Sequence, residues 1–147
     1  AIETAYNMFP TEKIKPMPYI CEVSYGLENN PQNIEIQKEI FSKKYPNNSV
    51  QWDYNKDHKG RTNSNFENFI KHLEDIVLPV HEHKPCVNIV VVTHGMFMHN
   101  NLKIPKPQHN AVYKKKYIYS NKQLRSISEA HMVCTGWQFT KKEQESL

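Results

Sequence analysis

The chain has 147 residues, 38% hydrophobic and 11% aromatic, enough for one domain with a core and too few for two comfortable ones, and wholesale disorder is excluded. The formal charge of +4 suits anionic small substrates; with no dense basic run beyond Lys114-Lys115-Lys116-Tyr117, no nucleic-acid partner is expected. Cys21, Cys86 and Cys134 are odd in number and far apart, and no run reaches membrane-span length, so we expect a reducing, cytoplasmic setting with neither a disulfide framework nor a membrane partner.

Ile2, Ala5, Tyr6 and Phe9 recur at helical spacing, and Pro10 stops the segment. No Ser, Thr, Asp or Asn precedes its first turn, and no initiator methionine is present, so the expectation is a chain cut from something longer. Residues 11–30 hold two prolines and little periodicity; they read as a long loop with a short extended piece at 19–23. Pro31 suits a first helical position after Asn29 and Asn30, and Ile36, Ile40 and Phe41 give a narrow apolar stripe ending at Tyr45-Pro46. Residues 47–63 are polar, with Trp52 and Tyr54 as isolated anchors, and read as an insertion or lid.

Ser64-Asn65-Phe66-Glu67 has the form of a capping box. Phe66, Phe69, Ile70, Leu73, Ile76 and Val77 follow at helical spacing until Pro79. The run 87–92 has five apolar β-branched residues of six, a pattern expected of a central parallel strand buried on both faces. It ends in Thr93-His94-Gly95, then Met96-Phe97-Met98. A strand running into a helix there places His94 at the strand's carboxyl edge, with the N–H groups of the next turn beside it, in anion-site geometry. A histidine merely capping a strand end is the plain alternative. Beyond it, 112–119 and 124–127 resemble two strands joined around Ser120-Asn121-Lys122. A last edge strand is expected at 132–139, and 141–147 is a charged tail. Strands and helices intermix, so an α/β sandwich is expected, with His94 in its largest polar pocket.

Three stretches together resemble the histidine phosphatase superfamily, in its phosphoglycerate-mutase-like branch. Val90-Val91-Val92-Thr93-His94-Gly95 looks like the strand that carries the family's second histidine. Ile20-Cys21-Glu22-Val23-Ser24-Tyr25-Gly26-Leu27-Glu28 is similar to its glutamate-glycine loop, with Ile for Leu and the second acid one place early. Ala1-Ile2-Glu3-Thr4-Ala5 matches an Arg-Ala-x-x-Thr-Ala element after its arginine. Gly60-Arg61-Thr62-Asn63-Ser64 sits where such proteins often carry Gly-Glu-Ser, without the Glu.

The resemblance implies a single three-layer α/β/α sandwich with a mostly parallel sheet, incomplete at its N-terminus, of which 1–147 is the C-terminal portion. It implies phosphatase or mutase chemistry on a phosphomonoester, borne by a small molecule or a phosphoprotein, through a phosphohistidine in the intact parent and without a cofactor. His94 would bind the phosphoryl group, Glu22 would protonate the leaving oxygen, and the backbone N–H groups of Gly95 and Met96 would complete the cradle.

The departures are equally plain. No Arg-His-Gly, the family's nucleophile motif, occurs in the sequence. Loss of a nucleophile costs on the order of a million-fold, so this chain is expected to be inactive alone. An upstream Arg-His-Gly strand, an arginine before Ala1, and a companion N-terminal segment or a homo-oligomer are the corresponding expectations. The alternative is a catalytically dead pseudoenzyme serving as a binding or scaffold protein. A second rival is a metal site built from His81, His83, Cys86 and His94, although Cys86 at a strand start is more often a small core residue.

Overall fold

The computed structural model describes residues 1–22, 34–54 and 65–135. Among these the chain forms four α-helices, α1 (Ile2–Met8), α2 (Ile34–Lys44), α3 (Phe66–His72) and α4 (Gly95–Leu102). Four short strands follow: β1 (Ala111–Lys114), β2 (Tyr117–Ser120), β3 (Gln123–Ser126) and β4 (His131–Thr135). β1 pairs antiparallel with β4, with a bulge between Val112 and Tyr113, and β2 pairs antiparallel with β3.

The three-layer sandwich with a parallel central sheet is therefore overturned. Both sheets are two-stranded and antiparallel, and the described parallel contact is a single bridge between Ile14 and Val50. The run 87–92 lies outside any strand, with Ile89 41%, Val90 66% and Val91 38% exposed. A doubly apolar strand is buried only when neighbours hydrogen-bond to both of its edges and helices cover both faces. Among the described residues no second run of that kind stands beside it.

The core is built from local amphipathic pieces instead. Asn65 caps α3, its side chain accepting from the Asn68 N–H at 2.9 Å. The cap thus sits one residue after the Ser64 of the expected box, and Ser64 lies outside the described residues. After His72 the helix widens into a π-helical turn, Leu73–Val77, closed by Leu78 N–H donating to Leu73 O at 2.8 Å. The wider turn keeps Leu73 and Leu78 on one face, where both are buried with Phe69. It also aims Glu74 at the β2–β3 hairpin: its carboxylate accepts from Leu124 N–H at 2.6 Å and its carbonyl from the Tyr119 hydroxyl at 3.1 Å. Tyr119 and Leu124 then pack on the Phe69–Leu73–Leu78 cluster, as do Tyr19 and Ile20. Burying each of the three core side chains is worth about 2 kcal/mol.

A second, aromatic cluster joins α1 to α2. Tyr6 meets Phe41 at 5.6 Å and Tyr45 at 4.7 Å between ring centroids, and Trp52 meets Phe41 at 5.7 Å. Of the expected stripe on α2 only Phe41 is buried; Ile36 and Ile40 are 50% and 57% exposed. Trp52 and the Ile14–Val50 bridge draw the start of the expected lid into packed structure, while 55–64 lie outside the described residues.

The expected extended piece at 19–23 is instead a 3₁₀ turn over Pro18–Ile20. The single strand expected over 112–119 is broken at Lys115-Lys116 into β1 and β2. The β2–β3 turn falls at Asn121-Lys122, both with positive φ (51° and 60°), the pairing of a type I′ hairpin. β4 covers the start of the expected last strand; 136–147 lie outside the described residues.

Candidate functional site

His94 is the residue immediately before α4, in extended conformation (φ −115°, ψ 158°), and its carbonyl accepts the Met98 N–H at 3.1 Å. No side chain caps this helix, so the first-turn N–H groups of Gly95 and Met96 have no intrahelical acceptor. A Cβ added at Gly95 would meet nothing within 4 Å, so the first turn opens onto clear space. Phe97, 2% exposed and 6.1 Å from the Phe66 ring, anchors the helix and thereby the histidine.

Glu22 arrives from a distant part of the chain, and its Oε2 lies 3.7 Å from His94 Nδ1. Their side chains are 23% and 36% exposed, so the pair is half-sheltered rather than buried. Burial lowers the His94 pKa, and Glu22 pulls it partly back up. The net shift is downward from 6.5, so at pH 7 the imidazole is neutral and the contact is a dipolar one that becomes an ion pair only in acid. The neighbouring Cys21 thiol is pushed up, by burial first and by Glu22 second, so it is a poor thiolate nucleophile at neutral pH. The segment that ends at Glu22 and the His94 turn thus meet in space.

Two local ties hold that arrangement. Asn65 N–H donates to Tyr19 O at 2.9 Å, and the Thr93 hydroxyl donates to Ile20 O at 2.6 Å. Both carbonyls belong to the 3₁₀ turn that leads into Glu22. Sequence reasoning missed Thr93; the available signal was a hydroxyl residue closing an otherwise apolar run.

His94 does not line the described cavity. That cavity, about 520 Å³, is bounded by Lys38, Val50, Gln51, Trp52, Asp53 and Tyr54, and none of the expected site residues takes part. The metal alternative gains no geometry, since among the described residues no three His, Cys, Asp or Glu side chains gather to hold an ion. Among the described residues no disulfide forms, and Cys86 and Cys134 are exposed. Among the described residues no helix is long and apolar enough to cross a membrane.

No protein-family model, curated protein or solved structure matches the chain.

Proposed function

We propose that this chain carries the phosphate-binding and acid–base half of a phosphoryl-transfer centre of the histidine-phosphatase type. The observation that supports it is the 3.7 Å approach of Glu22 to His94 at the uncapped start of α4, across a sequence separation of 72 positions. Glu22 takes the Nδ1 side of the ring, and the imidazolium, with Nδ1–H toward Glu22, turns Nε2–H as a donor toward a phosphoryl oxygen. The N–H groups of Gly95 and Met96 supply two further donors, and the helix dipole favours negative charge at that end.

A carboxylate beside a phosphate dianion is an unfavourable pair of like charges. A proton on Glu22 relieves that repulsion and is the state a general acid needs. Glu22 then gives that proton to the leaving oxygen as the P–O bond breaks and the phosphoryl group passes to a histidine nucleophile, the other half of such a centre. The substrate is a phosphomonoester on a small molecule or a protein, and the setting is cytoplasmic. Because no Arg-His-Gly occurs in the 147 residues, we assign this chain binding and protonation and not nucleophilic attack. The same absence favours one second reading, a pseudoenzyme that binds phosphate without turnover.

The test is calorimetric titration of the chain with phenyl phosphate in buffers of different ionisation enthalpy. Weak binding, around millimolar or about −4 kcal/mol, is expected, with proton uptake that falls in Glu22→Gln. His94→Ala should weaken binding at least tenfold. Binding without proton uptake, or binding indifferent to His94→Ala, would refute the roles assigned; release of phenol by the chain alone would refute the division of labour.

A further inference from the structure

We propose that Thr93 is the positioning residue of this centre: its hydroxyl, bonded to the Ile20 carbonyl, fixes the Glu22 carboxylate at His94. The inference deepens the phosphoryl-transfer reading and rests on it for its functional meaning, but its geometric content stands alone.

Thr93 Oγ1 donates to Ile20 O at 2.6 Å, linking residues 73 positions apart. The bond is short for a hydroxyl–carbonyl pair and half-sheltered, conditions under which such bonds are strongest. At one end it is a single residue from His94, whose own orientation is set by α4. At the other it is two residues from Glu22, on a turn held from the opposite side by Asn65 N–H to Tyr19 O and by the packing of Ile20 on the core. The Glu22 backbone stands just beyond the end of that turn. The Thr93 hydroxyl is therefore a direct cross-link between the acid's segment and the histidine's segment. Valine at 93 would preserve shape and remove the link; serine would keep it.

Glu22 is the charged side chain that acts on His94, favouring its protonated form, so its influence can be isolated by substitution. In the complete chain, Glu22→Gln should move the His94 titration midpoint, followed by NMR, to lower pH, because the carboxylate that favours the imidazolium is gone. With Thr93→Val already in place, adding Glu22→Gln should move the midpoint distinctly less, since the carboxylate is held less firmly beside the ring. With Thr93→Ser, the Glu22→Gln displacement should return. A Thr93→Val chain in which the full displacement persists would overturn the proposal. Should Thr93→Val fail to fold, Thr93→Ser decides: a folded serine variant without the displacement overturns it, and one with the displacement supports it. A merely structural hydroxyl would change stability without changing this coupling. Failure of the phosphoryl reading is separately visible, as coupling that is intact in a chain whose His94 resonances ignore phenyl phosphate.

Discussion

Phe97 is the residue on which both the packing and the site depend. It is 2% exposed, meets Phe66 edge-on, and lies three residues after His94 on α4. Truncation to alanine removes the transfer free energy of the ring and leaves a cavity, together about 3–5 kcal/mol. For a chain of 147 residues the whole stability is roughly 7–22 kcal/mol, so this one change removes a large share of it. A drop in Tm of about 6–20 °C is expected by circular dichroism, at about 2–4 °C per kcal/mol. Phe97→Leu, which keeps most of the volume, should cost only about 1–1.5 kcal/mol. Met96→Ala, next door but 38% exposed, should stay within about 0.5 kcal/mol. A Phe97→Ala chain less than about 1 kcal/mol below the parent would refute the packing described for α4, and with it the anchoring of His94.

Asn65→Ala should cost about 1 kcal/mol in urea unfolding by leaving the Asn68 N–H without its acceptor. Lys122→Gly should stabilise by about 0.5–1 kcal/mol, because glycine accepts the φ of 60° that lysine holds at strain; a loss of stability would contradict the I′ turn. His94 and His72 both titrate below 6.5, burial being the first cause for each, so the unfolded chain takes up protons before the folded one. Their contribution to stability is whole above pH 6.5 and is lost as pH falls through the depressed folded values. The urea midpoint should therefore drop between pH 7 and 5.5, and less so in a His72→Gln, His94→Gln double variant, which also keeps a partner for the Tyr54 hydroxyl.

What could be read in the sequence was what depends on near neighbours. Phe66, Phe69 and Leu73 carry their burial in their spacing, and the helix ends near where Pro79 requires, although the π-helical turn that aims Glu74 leaves no periodic trace. Residues 87–92 misled because β-branched apolar character states a preference for burial, whereas burial itself depends on partner strands elsewhere in the chain. Asn121 is a natural residue for positive φ and marked the hairpin; Lys122 is not, so the turn type was hidden. The pairing of Glu22 with His94 was suggested by motif resemblance and by no pattern of hydrophobicity. The Thr93 tie depends on a carbonyl 73 positions away, which no local reading can supply.

The central claim is that His94, held beside Glu22, receives phosphate. The most direct measurement is the ¹⁵N chemical shift of the His94 imidazole as phenyl phosphate is added to the complete chain at pH 7. Saturable displacement of the Nε2 resonance, with His72 unmoved, is the predicted result. A His94 ring that does not respond, or that responds no more than His72, would contradict the account.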